Sequence, residues 1–309
     1  MSTEVKFLNK IFKNPIIPAS GTFGFGYEFC DLYDINILGS IALKGTTLEP
    51  RYGNPLPRIA ECPSGLVNAI GLQNPGVENV VNRELKLLKE VYNDLVIANV
   101  GGHSVYEYVE TVRKFNDADE VFAVELNISC PNVAAGGAAF GMSCAAAHTA
   151  TKAVREVTKK PLLVKLTPQS PELIDVALSC IKAGADGISL CNSFQGVAID
   201  IETGRPVFDK IKAGFGGPAV RPIAVRLVYE LVQAINQLPE NERVPVVAIG
   251  GVAGWQDVVE FIMAGATAVQ VGTNTFANPM TMLECIEGLA EFMKRKGYKN
   301  IQEMKGIAQ

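Results

Sequence analysis

The sequence predicts an α/β protein with one domain, residues 1–309, folded as a (β/α)8 TIM barrel with long βα-loop insertions over its C-terminal rim. Three observations predict it. Short apolar runs recur eight times, segments of helical period separate them in alternation, and eight such units in about 250 or more residues suit a closed barrel better than an open sheet. The runs are Pro15–Ser20, Ser40–Lys44, Val96–Val100, Val121–Ile128, Leu162–Leu166, Gly187–Leu190, Val246–Ile249 and Ala268–Val271. Their length and content are those of strands buried on both faces, and several end in Gly, Asn, Lys or Ser. The fourth is the clearest, because Val121–Leu126 is apolar enough for a buried strand and Pro131 cannot continue a ladder, which stops the strand near Ser129. Between the runs, Val80–Val91, Val105–Phe115, Ala145–Thr158, Pro171–Ala183, Ile223–Leu238 and Trp255–Ala264 carry apolar residues at helical spacing and good helix formers. Alternation of this kind implies parallel pairing through right-handed crossovers.

Two connections are too long for simple crossovers: Thr46–Asn79, rich in Pro, Gly and Asn, and Asn192–Pro222. Both leave the carboxyl ends of strands, so they are expected to wall or cover a site on that rim. Gln237–Val244 precedes the seventh strand and belongs on the opposite face. No solenoid period, low-complexity tract or linker composition divides the chain.

A formal charge of −4 and a pI near 5.4, with no Lys/Arg cluster, argue against a nucleic-acid surface but leave phosphate on a small ligand open. Seven cysteines without a Cys-x-x-Cys pair read as reduced thiols in a cytoplasmic protein. The two histidines, His103 and His148, lie outside any ligand-spaced cluster, so no metal is expected. Met1–Lys13 lacks an apolar run for a signal or anchor, and no stretch approaches the ~20 apolar residues of a membrane span.

Chemistry-bearing residues gather at strand ends. Asn127, Ser129, Cys130 and Asn132 crowd the end of the fourth strand, where a thiol is placed for catalysis, although buried cysteines are also common packing residues. Gly250 and Gly251 follow the seventh strand, and Gly272 and Thr273 the eighth. Loops after these two strands build phosphate sites in barrels, and a tight turn is the plainer alternative for the glycine pair. Lys44 and Lys165 end apolar strands and demand partners: an anion, an electron-rich ring, a Schiff-base substrate or a structural ion pair. Asn99, Asn127, Asn192 with Ser193, and Asn68-Ala-Ile-Gly-Leu72 add neutral amides that suit a planar, amide-bearing ligand, or else make ordinary turns.

These residues carry a resemblance to a known family, the class 1 dihydroorotate dehydrogenases, and within it to the type B catalytic subunit. The matching runs, in order, are Asn14-Pro-Ile-Ile-Pro-Ala-Ser-Gly-Thr-Phe-Gly-Phe-Gly26, Arg51-Tyr-Gly-Asn-Pro-Leu-Pro-Arg58, Asn68-Ala-Ile-Gly-Leu-Gln-Asn-Pro-Gly76, Glu125-Leu-Asn-Ile-Ser-Cys-Pro-Asn-Val133 and Gly217-Pro-Ala-Val-Arg-Pro222. The resemblance implies an FMN barrel that oxidises (S)-dihydroorotate to orotate in pyrimidine synthesis. It makes Cys130 the base that takes the C5 proton while the flavin takes the C6 hydride, where class 2 relatives use serine. It implies that Ser20, Lys44, Gly45, Asn99, Asn127, Lys165, Cys191, Gly217, Gly250, Gly251, Gly272 and Thr273 line the FMN. By the same carry-over Lys44, Asn68, Ala69, Ile70, Gly71, Leu72, Asn127, Asn192 and Ser193 hold the substrate, and Gly136 and Gly137 let the loop after the thiol close.

The resemblance further implies an electron-transfer subunit carrying FAD and a 2Fe–2S cluster that passes electrons to NAD, in a heterotetramer of two catalytic and two electron-transfer subunits. This chain has neither a cluster spacing nor a dinucleotide fingerprint of its own. Gly45 stands where alanine is common, Cys191 where a larger aliphatic is usual, and Gly216 where serine is frequent, which implies altered affinity with unaltered chemistry. The competing readings are an FMN barrel acting on another dihydropyrimidine, a type A-like enzyme using fumarate, an aldolase with Lys165 as Schiff-base former, and a non-catalytic flavin subunit.

Overall fold

Residues 1–129 and 140–309 are described by the structure, a computed structural model. An N-terminal hairpin pairs β1 (Val5–Phe7) with β2 (Lys10–Phe12). The first barrel strand is β3 (Ile16–Pro18), and a hairpin of β4 (Ile59–Cys62) and β5 (Gly65–Asn68) lies in the long connection 46–79 that follows the second predicted strand segment. Barrel strands resume with β6 (Val96–Val100), β7 (Val121–Asn127), β8 (Leu162–Lys165) and β9 (Gly187–Leu190). The second long connection holds β10 (Phe194–Gly196), β11 (Ile199–Asp200), β12 (Arg205–Pro206) and β13 (Ala213–Gly216). Then β14 (Val246–Ile249) and β15 (Ala268–Val271) complete the series.

Seven of these strands form one parallel sheet in the order β3, β15, β14, β9, β8, β7, β6. The expected second strand, Ser40–Lys44, differs from its reading. It closes the barrel between β6 and β3 without becoming a regular ladder. Leu43 N–H donates to the Ile97 carbonyl (3.0 Å), Ile97 N–H to that of Ile41 (2.8 Å), and Gly39 N–H to that of Ile16 on the other side (3.0 Å). The pairing is interrupted there, where Lys44 N–H is taken by the Gly24 carbonyl and the Lys44 carbonyl by the Thr46 hydroxyl, and it resumes at Thr46, whose N–H donates to the Asn99 carbonyl (2.9 Å).

Strand side chains alternate between two layers, as the period of two requires. Ala98, Val124, Leu126, Val164, Ile188, Ala248 and Val269 face outward into the helical layer. Ile17, Ala42, Ile97, Ala123, Leu163, Val247 and Ala268 face inward, and Val5, Phe7 and Phe12 of the hairpin pack on them as a plug at the amino-terminal mouth. Around that mouth Leu238 and Asn241–Pro245 share a groove with Leu8 and Asn9, so the connection before β14 lies away from the cavity described below.

The outer helices follow the predicted segments within a few residues: Val105–Asn116, Cys144–Arg155, Leu173–Lys182, Arg221–Asn236 and Trp255–Met263. The first predicted helix starts earlier, at Val77, and contains a wide turn at Val80–Glu84. Thr281–Lys296 adds a further helix packed against β3. Both long connections contribute to one antiparallel sheet, in the order β10, β13, β5, β4, with Phe215 opposite Val67. Among the described residues, no helix is long and apolar enough to cross a membrane.

Candidate active site

At the carboxyl ends of the strands the barrel interior turns from hydrocarbon to polar. The inward parity continues from Ile97 to Asn99, from Ala123 to Glu125 and Asn127, from Leu163 to Lys165, and from Gly187 to Ser189. Above this layer lies a cavity of about 580 Å³, floored by strand ends and walled by the four-stranded sheet through Leu66, Asn68, Phe194 and Ala213–Gly216. That volume is typical of a site for a cofactor-sized ligand.

Every predicted site residue within the described chain lines this one cavity: Ser20, Lys44, Gly45, Asn68–Leu72, Asn99, Asn127, Lys165, Cys191, Asn192, Ser193, Gly217, Gly250, Gly251, Gly272 and Thr273. Cys130, with Asn132, Gly136 and Gly137, lies outside the described residues, and its sequence neighbour Ser129 lines the cavity. The described lining includes four lysines, 44, 165, 210 and 212, and no acidic side chain.

The two inner lysines differ in company. Lys165, almost wholly buried, has the carboxylate of Glu125 at 3.6 Å, so the structural ion pair and the cavity position hold together. Burial, with the neighbouring charges of Lys165 and Arg58, pulls Lys44 down to about 8. Cys191 is a thiol here: burial pushes it up to about 12 against the opposing effect of Lys165.

The amides form a continuous rim. Asn127 Oδ1 accepts from the Ser129 hydroxyl and from Asn192 Nδ2, and Asn192 Oδ1 accepts from Ser193 N–H (2.8 Å). Asn68 Nδ2 donates to the Gly214 carbonyl at 3.2 Å, tying one long connection to the other. The Asn68–Leu72 segment is shaped by left-handed backbone at Gly71 and Leu72. It is anchored from behind by Asn74, whose amide donates to Thr47 Oγ1 and the Leu72 carbonyl and accepts from the N–H groups of Thr47 and Gly76.

Of the glycine pair after β14, Gly251 is required by space. Gly251 has φ +82°, and a Cβ there would stand 2.5 Å from the backbone nitrogen of Arg221. The same loop is held by Asp257, which accepts from Ala253 N–H (2.8 Å) and Gly254 N–H (3.1 Å) and pairs with Arg221. Gly272 is under no such constraint, since a Cβ there would meet Ala19 at an ordinary 3.5 Å.

A family model described as dihydroorotate dehydrogenase matches residues 2–293 of this sequence. The chain belongs to the dihydroorotate dehydrogenase family. It is 47% identical over 294 residues to a protein of Bacillus pumilus, covering 95% of this chain and 92% of that one. It is 45% identical over 307 residues to one of Petrotoga mobilis, covering 99% of each. A protein of Malacoplasma penetrans is 45% identical over 294 residues, 95% of this chain and 94% of its own. All three are named dihydroorotate dehydrogenase B (NAD(+)), catalytic subunit.

In this dihydroorotate dehydrogenase family member, Gly45, Gly216 and Cys191 each have close neighbours at the cavity. A Cβ on Gly45 would lie 2.9 Å from Asn99 Oδ1, and one on Gly216 would lie 2.6 Å from Thr273 Oγ1, so larger residues at either place require these neighbours to move. Cys191 is packed against the Ile249 carbonyl. Sequence reading passed over Glu125, Ser189, Gln270, Asn74 and Asp257. The first three share the inward parity of Asn99 and Lys165, which is the signal that finds them.

Proposed function

We propose that this dihydroorotate dehydrogenase family member is an FMN-dependent oxidoreductase that converts (S)-dihydroorotate to orotate in pyrimidine (UMP) synthesis. The observation that carries the reading is the cavity lining, four lysines and a rim of amides with no acid among the described residues. A phosphate-bearing flavin and a carboxylate-bearing pyrimidine both suit that charge, and the amides suit their rings. The glycine-bound turn at Gly250 and Gly251, with Gly272 and Thr273 on the next strand, fits the phosphate, because exposed N–H groups approach an anion closely where side chains are absent.

FMN, when bound, supplies the acceptor for the hydride that leaves C6. The chain's own residues do the rest. Cys130 takes the proton from C5, which requires part of the thiol to be thiolate at working pH. Lys44 holds the substrate carboxylate, with Asn68–Leu72, Asn127, Asn192 and Ser193 around the ring. Ser20, Gly45, Asn99, Lys165, Cys191 and Gly217 line the flavin. The B (NAD(+)) catalytic-subunit names of the relatives support a partner subunit and NAD as final acceptor; the sequence resemblance adds that this partner carries FAD and a 2Fe–2S cluster and that two of each chain assemble. The free state of the six described cysteines supports a cytoplasmic setting.

The deciding experiment is an anaerobic visible spectrum of the purified chain before and after L-dihydroorotate. A flavin band that bleaches upholds the reading, and Cys130→Ala should keep the band yet bleach at least a hundredfold more slowly. A band that stays yellow points to another dihydropyrimidine, and a chain that takes up no FMN overturns the reading. Reoxidation of the bleached chain by fumarate would favour the type A-like alternative.

A further inference from the structure

Glu125 is fully buried, and the barrel interior below it is hydrocarbon. Its partners come from four other strands. Oε1 accepts from Ser189 Oγ (2.6 Å, β9) and Gln270 Nε2 (2.8 Å, β15), and Oε2 accepts from Asn99 Nδ2 (2.6 Å, β6) with Lys165 Nζ at 3.6 Å (β8). A buried ion pair contributes little net stability beside a well-packed apolar set of the same volume, so the fold alone gives no reason for a carboxylate here. The cavity does. Asn99 and Lys165 line it, whereas Glu125, Ser189 and Gln270 do not. A carboxylate only accepts, so it forces the Asn99 and Gln270 amides to turn their NH2 groups inward and holds the Lys165 ammonium to one side of the floor.

We propose that Glu125 is a positioning residue of the reaction, touching neither flavin nor substrate and acting through the fixed placement of Lys165 and Asn99. This rests on the flavin-dependent reading above. It also divides the labour of the lysines: Lys165 is compensated from behind and offers a directed donor, while Lys44, with no acid in contact among the described residues, keeps the uncompensated charge. Removing Glu125 therefore disorders the floor through Lys165 and leaves the Lys44 wall in place.

The test is a double-mutant cycle on FMN affinity, read by fluorescence quenching when apoprotein is titrated with FMN. Glu125→Gln and Lys165→Met should each weaken FMN at least tenfold, and the double variant should bind within threefold of Lys165→Met alone. An equal loss from Glu125→Gln with and without Lys165, or binding within threefold of the native protein, overturns the proposal. Ser189→Ala serves where Glu125→Gln does not fold, since it loosens the carboxylate from outside the cavity. It should slow flavin reduction by dihydroorotate at least fivefold with KM unchanged, and an unchanged rate overturns the proposal. A native chain that takes up no FMN fails the functional reading instead, and is seen before any variant is made.

Discussion

Lys44 and Lys165 enter the same cavity, yet only Lys165 has an acid behind it, Glu125 at 3.6 Å. Burial and the neighbouring cations lower Lys44 from its usual 10.5 to about 8, whereas a bound anion favours its charged form. Protonation and anion binding at Lys44 are therefore linked. Anion affinity is full below about pH 8 and falls as pH rises through that value, by about tenfold per unit until the pKa of the bound form is reached. Orotate titrated calorimetrically from pH 6.5 to 9.5 should show this slope, and Lys44→Met should bind weakly and without it. A flat native profile removes Lys44 as the anion's partner.

Gly251→Ala places a methyl group 2.5 Å from the Arg221 nitrogen and holds alanine at φ +82°. The left-handed backbone alone costs about 1–3 kcal/mol, and the overlap moves the start of the 221–236 helix as well. Thermal unfolding should drop by several degrees, and FMN retention on a desalting column should fall with it. Gly272→Ala is the contrasting case, because its Cβ finds ordinary contact; native melting with normal flavin content is expected there.

Asp257 joins the loop after β14 to the helix that follows. Its Oδ2 accepts two backbone N–H groups, at Ala253 and Gly254, and its other oxygen faces Arg221. Arg221 is partly exposed, so the ion pair itself contributes little and the backbone contacts carry the role. Asp257→Ala should cost about 1–2 kcal/mol of stability, as lost helix caps do. Because Gly250 and Gly251 sit on the same loop, FMN affinity should fall about tenfold or more, beyond what Arg221→Ala produces. Equal effects of the two variants on FMN affinity would assign the role to the ion pair.

The barrel was legible because period and length are strong signals: inward Ile97, Ala123 and Leu163 alternate with outward Ala98, Val124 and Val164 as two-sided burial demands. The closing segment was misread as a full strand. Nothing local in Ile41-Ala-Leu-Lys44 reveals that the Lys44 N–H is taken by the distant Gly24 carbonyl. Strand-end residues such as Lys165, Asn127 and Gly250 could be gathered on one rim by topology alone. Glu125 was hidden by its setting, since a single acid in an apolar run does not change the strand assignment. Its meaning comes from Ser189 and Gln270, 64 and 145 residues away. That both long connections join in one sheet was equally non-local, being fixed by pairs such as Gly214 with Asn68.

Asn74 shows how a residue outside the cavity can set its shape. The side chain is buried, and its hydrogen bonds tie Thr47, Leu72 and Gly76 together, spanning the base of the loop that carries Asn68–Leu72. Asn74→Ala strands several buried backbone and hydroxyl groups, at a cost of about 2–3 kcal/mol. The disturbance reaches the substrate wall and leaves the strand-end floor of Lys165 and Asn127 in place. Steady-state kinetics should therefore show KM for dihydroorotate raised about tenfold with kcat reduced less than about threefold, the pattern of lost ground-state binding. Asn74→Asp keeps both acceptor bonds and loses the donors, so it should fall between the native protein and Asn74→Ala. A variant that lowers kcat and leaves KM unchanged would place the effect on the floor and remove Asn74 from the substrate wall.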